Sequence, residues 1–428
     1  MDRKPVNRRV ALLALAALVA GCPAAEMSPP TDAGVDGASA DAARVSPPPD
    51  PVFVEVTKLT SRPEVLPKIP EGVVDLSFLP DGSGQFFVGY RDGLIELRGA
   101  DAQVVRSTEI PVRRGNECGL LTIEAHPEFS DNRRVFVGFC EVDAGITIQS
   151  LVWTATIGMS TQVADMTRTI DFQPAFNDFH NLSDMGFDEA HNLWFTKGDG
   201  NGRNSSQELD KLRGKLARIT PRATGLEGYS IPADNPHVNE PGVRGEILAY
   251  GIKSAFRSHY AGDGRWFLAD VGLDGWEEIN VFTLTSTAWN LGYPRCEGNE
   301  RLDDYERTGE PCDLESDASY LAPALVYEHD HTQSILQDDP EADMRAVAGW
   351  AVCGGVLYRG DRYDGKLSGR FIYSDISRGF VRSVAVDGDA LTDDRHLGHL
   401  DEAWVWKIGP DGWIYVVARN VLYRLVNP

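Results

Sequence analysis

Short apolar runs alternate with turn residues along most of the chain. In residues 75–97, for example, three such runs are separated by Pro80-Asp81-Gly82 and by Arg91-Asp92-Gly93. Asp-Gly dipeptides favour tight β-hairpins, and short runs of this kind between turn residues favour strands. The same pattern returns in residues 185–196 and again in residues 408–425. The pattern therefore predicts repeated antiparallel sheets in preference to helices.

Repetition on this scale predicts a β-propeller, an all-β fold in which four-stranded sheets, the blades, surround an axis. The folded part, residues 52–428, would give six blades of about 63 residues, above the ~40 to 50 of simple propeller repeats. The loops must therefore be long, and function is expected in the loops at one end of the blades. A β-sandwich is the alternative fold, but no linker-like break follows Val52.

The first 21 residues have the organisation of a bacterial signal peptide. Basic residues among positions 3–9 precede an apolar run from Val10 to Ala20, which is too short to cross the ~30 Å hydrocarbon core of a membrane as a helix. The run ends in Val19-Ala20-Gly21-Cys22, which resembles the lipobox that precedes a lipidated cysteine. We therefore expect a lipoprotein signal peptide over residues 1–21 and lipidation of Cys22. The alternative is a plain signal peptide in which Cys22 is incidental.

Residues 22–51 are expected to form a disordered linker. Seven Pro and seven Ala occupy residues 23–51, and no aromatic residue is present there. Such a segment buries too little apolar surface to offset the entropy lost on folding. The N-terminal region thus predicts a lipid-anchored protein of the bacterial cell envelope, periplasmic or surface-facing, that contacts the membrane only through its lipid.

The composition limits the partners and the redox compartment. The formal net charge is −23, which would repel the phosphates of nucleic acids, so nucleic acid is not an expected partner. The acidic residues suit solvated surfaces or local sites for a divalent cation. In an oxidising compartment, the cysteine spacing favours pairing of Cys118 with Cys140 and of Cys296 with Cys312. Cys353 is left over, and we expect it in a buried packing position.

A series of motifs carries a resemblance to a known family. In chain order these are NECGLL (116–121), AHPEF (125–129), HN (180–181), KGDGNG (197–202), LRGKLARI (212–219), IPADNP (231–236), AYG (249–251), ADVG (269–272), WEEIN (276–280), NLGYP (290–294), VYEHDH (326–331) and GGVLYRG (354–360). Together they resemble the soluble glucose/sorbosone dehydrogenase family, whose members are six-bladed β-propellers that use pyrroloquinoline quinone (PQQ) and calcium. The same fold family contains Hedgehog-interacting-like propellers, which bind partners and need no quinone, so the site residues must distinguish the two classes.

The resemblance implies a catalytic role for His180, which heads the His-Asn motif. In the enzymes of the family this histidine is the general base that takes the proton of the sugar hydroxyl while hydride passes to the quinone. Imidazole suits the role because its ordinary pKa lies near neutral pH. Glu117 matches a polar residue that lies beside the cofactor. The alternatives are a structural histidine and a solvated loop carboxylate, respectively.

The positions that would hold the quinone carboxylates are only partly basic. Where the family usually has Arg-Asn, this chain has Lys253-Ser254, and a lysine lacks the planar two-pronged contact of a guanidinium. The resemblance places a further basic residue at Ser377, with Arg378 beside it, whereas later arginines are absent and Glu402 stands in that stretch. The anion site is therefore expected to be weakened. The expected cofactor-binding residues are Glu117, His180, Lys253, Ser254, Ser377 and Arg378.

The resemblance also implies calcium. Val271-Gly272-Leu273 corresponds to the turn whose main-chain oxygens bind calcium beside the quinone, and Glu277 and Glu278 correspond to acidic residues around a second metal. Hard oxygen ligands on a flexible turn suit calcium, which takes about six to eight of them. We therefore expect calcium at Gly272, Leu273, Glu277 and Glu278. The alternative is that the two glutamates are an ordinary acidic pair of a surface strand.

The candidate residues together predict a PQQ-dependent oxidoreductase that acts outside the cytoplasm. It would oxidise an aldose or a related sugar aldehyde, with hydride passing to the quinone, and its partners would be a small sugar and an external electron acceptor. The missing basic residues support an alternative from another class, a non-catalytic propeller that binds a glycan or a protein at the cell surface.

Overall fold

A computed structural model describes residues 52–58, 72–142, 145–154, 163–172, 178–223, 227–314, 316–329 and 348–427. The expected signal peptide, Cys22 and the linker over residues 22–51 lie outside these ranges. Nearly all regular structure in the described part is β-strand. One α-helix, Phe129–Asn132, and one 3₁₀-helix, Arg203–Ser206, have four residues each, and no helix among the described residues could cross a membrane. The all-β prediction is confirmed.

Sheets of four or more strands follow one another along the described chain. We number them in chain order and call the first strand of each sheet its inner strand. Sheet 1 contains Val73–Phe78, Phe86–Tyr90, Leu94–Arg98 and Val104–Glu109. Sheet 2 contains Leu120–Ala125, Arg134–Cys140, Ile146–Trp153 and Val163–Phe172. Sheet 3 contains Leu182–Phe187, Leu193–Lys197, Lys215–Pro221 and Ile247–Tyr250, joined by the short strands Tyr229–Ser230 and Trp289–Asn290.

The second half of the chain continues the series. Sheet 4 contains Ala255–Tyr260, Arg265–Asp270, Trp276–Thr283, Leu325–His329 and Ala348–Gly349. Sheet 5 contains Val352–Tyr358, Arg370–Asp375, Phe380–Asp387 and Ala390–His399. Sheet 6 contains Ala403–Ile408, Ile414–Ala418 and Val421–Val426, and its outermost strand is the first of the described chain, Val52–Lys58. A small sheet of Cys296–Glu297, Glu300–Asp303 and Glu306–Pro311 is inserted in sheet 4.

The inner strands form a ring. They contact one another in chain order, and the inner strand of sheet 6 contacts that of sheet 1. Apolar side chains fill the spaces between neighbouring sheets. Phe87 and Ile123 pack between sheets 1 and 2, for example, and Phe267 packs with Phe371 between sheets 4 and 5. The result is a propeller-like arrangement in which each sheet buries both faces against its neighbours.

The inner strands begin at the same end of the ring, which we call the front face. The guanidinium of Arg257 donates to the carbonyls of Val74, Ser183 and Trp404, each the second residue of its inner strand. The second strand of each sheet is antiparallel to the inner strand and so ends at the front face. Loops that precede an inner strand or follow a second strand therefore lie together there. The opposite end is the rear face.

The expected cysteine pairing is confirmed. Cys118 and Cys140 form a disulfide that joins the loop before sheet 2 to the end of its second strand, and Cys296 and Cys312 close the small sheet. Cys353 is a buried free thiol in the inner strand of sheet 5. Burial raises the pKa of this thiol to about 12, so it is an inert packing residue at neutral pH.

Candidate active site

The site residues expected from the sequence lie on the front face. Glu117 and His180 precede the inner strands of sheets 2 and 3, and residues 253–254 precede that of sheet 4. Residues 271–275 follow the second strand of sheet 4, and residues 377–378 follow that of sheet 5. The topology of the ring thus brings to one face positions that are far apart in sequence.

His180 has a strained backbone that its neighbours hold in place. Its φ is 52°, in the left-handed region that residues other than glycine adopt rarely. The Glu117 carboxylate accepts the backbone N–H of His180 at 2.6 Å, and the His180 carbonyl accepts the N–H of Gly200. Gly198 packs so tightly against His180 that a Cβ would overlap it. Strain of this kind costs about 1–3 kcal/mol and is typical of functional positions.

The imidazole of His180 is oriented by Asp199. The Nδ1 atom of His180 lies 2.6 Å from Oδ1 of Asp199, whose side chain is 1% exposed. Because a carboxylate only accepts hydrogen bonds, Nδ1 carries the proton and Nε2 is left as an acceptor. The His180 side chain is 16% exposed, so the ring can be reached from the front face. The pair can therefore hold a neutral imidazole that takes a proton at Nε2.

Lys197 is a buried cation near this pair. Its side chain is fully buried, and its Nζ has no hydrogen-bond partner among the described residues. Burial and Arg213 lower the pKa of Lys197 to about 8, while Asp199 and Glu117 oppose the fall. Burial also raises the pKa of Glu117, and His180 opposes that rise. The charges of Lys197, Asp199 and Glu117 thus interact around His180.

Lys253 and Ser254 are held by Asp270, the last residue of the second strand of sheet 4. The two carboxylate oxygens of Asp270 accept the backbone N–H groups of Lys253 at 2.9 Å and of Ser254 at 2.6 Å. Burial raises the pKa of Asp270 to about 7, although both hydrogen bonds oppose the rise. The Lys253 ammonium donates to the carbonyl of Val271 at 3.1 Å. Lys253 therefore lies beside the turn that was expected to bind calcium.

The two glutamates expected around a second metal have protein partners instead. Glu277 is buried, lies 2.7 Å from Nε2 of His329 and accepts the N–H of Val352 at 2.8 Å. Burial lowers the pKa of His329, but the carboxylate of Glu277 outweighs this and raises it to about 9. Glu278, also buried, accepts the backbone N–H of Gly298. Burial raises the pKa of Glu278 well above its ordinary value.

The structure therefore gives Glu277 and Glu278 protein contacts at the position where the resemblance implies a second metal. In the part of the chain that the structure describes, no group of three or more His, Cys, Asp or Glu side chains could hold a metal ion. A histidine and a main-chain amide contact Glu277, and a main-chain amide contacts Glu278. Only the main-chain oxygens of the preceding turn remain as the expected calcium ligands.

Ser377 and Arg378 lie in the loop after the second strand of sheet 5. The carboxylate of Asp375 accepts their backbone N–H groups at 3.0 and 2.8 Å. Ser377 is exposed, and the Arg378 guanidinium lies 5.6 Å from the ring centroid of Trp350. Because Trp350 immediately precedes sheet 5, this stacking keeps the Arg378 cation at the front face.

Three further charged residues differ in their availability at this face. Arg203 lies in the loop that also carries Asp199, and its guanidinium lies 4.4 Å from the ring centroid of Tyr305. Arg257 is committed to the three carbonyls at the axis. Glu402 has Arg419 at 3.6 Å, which offsets its negative charge. Arg203 thus lies on an aromatic ring in a front-face loop, whereas Arg257 is held by main-chain carbonyls at the axis.

A cavity of about 280 Å³ lies on the axis behind Arg257, toward the rear face. Lys407 lies 3.6 Å from Glu124 and 3.8 Å from Asp75, and Arg257 lies 3.7 Å from Asp75 and 3.6 Å from Asp184. Burial raises the pKa of Glu124 to about 7, and Lys407 opposes the rise. Asp184 therefore has a cation from the neighbouring sheet as its partner.

Residues 70–426 match the model of the Glucose / Sorbosone dehydrogenase family. The chain belongs to this family. It is similar to aldose sugar dehydrogenase YliI of Escherichia coli (strain K12), with 26% identity over 366 residues that cover 80% of this chain and 85% of that protein. It is 24% identical over 437 residues to the HIPL1 protein of Arabidopsis thaliana, with 82% and 60% covered. The PQQ-bound form of aldose sugar dehydrogenase from Streptomyces coelicolor shares the fold, with a TM-score of 0.63, 16% identity and 89% and 99% of the two chains covered.

Three acidic residues of the front face of this family member were missed by the sequence analysis. Asp199 stands in the KGDGNG motif, and one aspartate between glycines was the available signal. Asp270 ends a strand, and Glu297 follows a disulfide cysteine, so neither has a distinctive local pattern. Their partners lie on other loops, which strand pairing within one sheet brings together.

Proposed function

We propose that the chain is a PQQ-dependent dehydrogenase that oxidises an aldose or a related sugar aldehyde, on a six-bladed β-propeller, with His180 as general base. The observation that carries the proposal is the contact of His180 with buried Asp199, which leaves Nε2 as an acceptor on the front face. The left-handed backbone of His180 supports a functional position. Two relatives are named aldose sugar dehydrogenases, which supports the substrate class.

The role of His180 follows from its contacts. At Nε2 it would accept the proton of the substrate's anomeric hydroxyl, and the carboxylate of Asp199 would stabilise the resulting imidazolium. Glu117 accepts the backbone N–H of His180 and so holds the backbone that carries the ring. We therefore assign Glu117 to positioning the base. A positioned general base contributes about 10²–10⁴-fold to a rate.

The cofactor would supply the electron-accepting group that takes hydride from the sugar. Its carboxylates require cations, and Lys253, Arg203 and Arg378 provide them on the front face. Ser254 and Ser377 stand beside two of these cations, and their hydroxyls can donate further hydrogen bonds. This chain would thus hold the quinone with a different set of cations from the usual arginines.

Calcium would be held by the main-chain oxygens of Gly272 and Leu273. The N–H groups on one side of this turn converge on Glu297, so the carbonyls face the other side, which suits a hard cation that prefers oxygen ligands. The side chains of Glu277 and Glu278 would take no part in this site, because each contacts other groups of the protein.

We also propose that the protein is anchored in the bacterial cell envelope by a lipid on Cys22. The signal-peptide organisation of residues 1–21 and the resemblance of its end to a lipobox support this. Residues 22–51 would separate the lipid from the propeller of residues 52–428. The disulfides Cys118–Cys140 and Cys296–Cys312 suit an oxidising compartment. The electron acceptor would then lie outside the cytoplasm.

The test is made on the full-length lipoprotein, purified in detergent and loaded with calcium and PQQ. We expect a change in PQQ absorbance on binding and dye reduction that depends on an aldose. His180→Ala should bind PQQ yet lose at least ~10²-fold in kcat/KM. His191→Ala changes a histidine of the rear-face hairpin of sheet 3 and should keep full activity. If the wild type neither binds PQQ nor turns over, the enzyme proposal is wrong and the glycan- or protein-binding alternative is favoured.

A further inference from the structure

Glu297 is buried against the turn that joins the second and third strands of sheet 4. Its Oε1 accepts the backbone N–H groups of Leu273 at 2.7 Å, Asp274 at 3.2 Å, Gly275 at 2.9 Å and Trp276 at 3.0 Å. Hydrogen bonds to an ionised carboxylate are about twice as strong as those between neutral groups. One side chain therefore sets the orientation of successive peptide groups along the whole turn.

These hydrogen bonds fix the direction of the carbonyl groups. In a trans peptide the N–H and the C=O point in opposite directions. Because the N–H groups of Leu273 and Asp274 point to Glu297, the carbonyls of Gly272 and Leu273 point away from it. An amide bound to an anion is also polarised, which makes its carbonyl oxygen a stronger ligand. The turn thus presents two preoriented, electron-rich oxygens on one side.

A reciprocal contact locks the turn to the small sheet. The backbone N–H of Gly298, the residue after Glu297, donates to the carboxylate of Glu278 in the strand that follows the turn. Gly272 leaves no space for a side chain, since a Cβ there would overlap Glu297 and a main-chain carbonyl. The Cys296–Cys312 disulfide holds the segment that carries Glu297. Contacts within the protein therefore fix the conformation of the turn.

The other oxygen of the same carboxylate lacks a hydrogen-bond donor, although Glu297 also acts electrostatically on His329. Oε2 of Glu297 is buried, and none of the described residues gives it a hydrogen bond. Glu297 is 3% exposed, and it acts electrostatically on Glu278 together with Asp270. A buried anion with an unsatisfied oxygen is costly unless a cation lies nearby. The oriented carbonyls suit a cation on the far side of the turn from Glu297, and the unsatisfied buried carboxylate favours that cation electrostatically across the turn.

We propose that Glu297 is the positioning residue of a calcium site whose protein ligands are the main-chain oxygens of Gly272 and Leu273. The carboxylate aligns and polarises these oxygens, and its charge favours the cation without contact. The inference rests on the calcium site of the proposed function and is independent of the quinone chemistry. In this proposal Glu277 and Glu278 are not ligands of the ion, and Glu297 supports the site without contacting the ion.

Calcium titration of the full-length chain tests the proposal, after a chelator has removed divalent cations. Glu297→Gln keeps an acceptor oxygen but loses the charge, so calorimetry should give a calcium Kd at least ~10-fold weaker than that of the wild type. Glu300→Gln is the matched control, because it removes one charge from the same small sheet, where Glu300 binds Arg307 and the Trp276 indole. It should change Kd by less than about threefold.

Amide hydrogen exchange gives a second measurement, and its first part uses the wild type alone. The amides of residues 273–276 should be protected in the calcium-free wild type and should lose protection selectively in Glu297→Gln. Equal calcium affinity in the wild type and this variant, fast exchange of these amides in the wild type, or no calcium binding by the wild type would each overturn the inference. Calcium binding that depends on Glu297 in a chain without PQQ turnover would support it while refuting the proposed function.

Discussion

The Nδ1 atom of His180 lies 2.6 Å from Oδ1 of Asp199, and the aspartate is almost completely buried. His180 comes from the loop before the inner strand of sheet 3, and Asp199 from the loop after its second strand. Asn201 adds a backbone N–H to the same carboxylate oxygen at 2.8 Å. The Nδ1 contact that orients the imidazole thus lies within a single sheet, while Glu117 from the neighbouring sheet holds the backbone of His180.

Asp199→Asn should lower kcat/KM for aldose oxidation by about 10²–10⁴-fold. The amide is uncharged, so it cannot stabilise an imidazolium, and it no longer requires the proton on Nδ1 of His180. Steady-state kinetics with a dye acceptor measure the loss. Asp210→Asn changes an exposed aspartate of the same loop and should keep wild-type kinetics. Activity of Asp199→Asn within twofold of the wild type would rule out this role for the pair.

The buried His329–Glu277 pair should make stability depend on pH above neutrality. The pKa of His329 is raised from 6.5 to about 9 in the folded protein, so its stabilisation is fully present below pH 6.5 and is lost as the pH rises through 9. Since one pKa unit corresponds to about 1.4 kcal/mol, the loss should be roughly 3–4 kcal/mol. Urea unfolding of the wild type and His329→Gln between pH 6 and 10 measures the difference.

An exposed histidine serves as the control for His329. His399 pairs with Asp401 at the surface, and His399→Gln should leave the wild-type pH dependence unchanged. If the wild type and His329→Gln show parallel stability curves between pH 6.5 and 9, the buried ion pair contributes nothing in that range.

The carboxyl group of Glu124 in the axial cavity should make the unfolding free energy depend on pH in a lower range. Its pKa is raised from 4.5 to about 7 on folding, so its contribution is fully present below pH 4.5 and is lost as the pH rises through 7. Glu124→Gln should flatten the pH dependence of the unfolding free energy between these values. Glu310→Gln, at an exposed position of the small sheet, is the control. An unchanged slope in Glu124→Gln would show that another group dominates the acid range.

Gly272→Ala should destabilise the protein and abolish calcium binding. The added Cβ would overlap the Trp276 carbonyl and Glu297, and a main-chain atom cannot yield as a flexible side chain can. Overpacking of this kind costs about 1–3 kcal/mol. Thermal unfolding and calcium calorimetry provide the two readouts. In Gly245→Ala the nearest atoms lie at 3.4 Å, so this control should behave like the wild type, and a calcium-binding Gly272→Ala would contradict the geometry of the turn.

The strands and the disulfides could be predicted because they depend on local information. Alternating apolar runs with Asp-Gly turns specify hairpins wherever they occur, and both cysteine pairs lie within or beside one sheet. The partners of the front-face carboxylates depend instead on how whole sheets pack. Glu277 has the same sequence appearance whether calcium, a histidine or main-chain amides satisfy its charge. The sequence therefore located the loops of the site, but not which charges are paired within it.

The same limit applies to the cations. The sequence could not show which of Arg203 and Arg257 is available to a ligand, because both lie in or near loops of the front face. The structure separates them: Arg203 stacks on Tyr305, whereas Arg257 binds three carbonyls at the axis. An arginine that satisfies main-chain carbonyls leaves no local pattern, since its partners come from three other sheets.

The strand Val52–Lys58 completes sheet 6 beside Val421–Val426. The first strand of the described chain thus finds its partner among residues that are synthesised hundreds of positions later. Pairing over such a separation is intrinsically slow, and until then the early strand has an unpaired edge. The last sheet, and with it the ring, can close only after the whole chain has been made and has reached the same side of any membrane that it crosses.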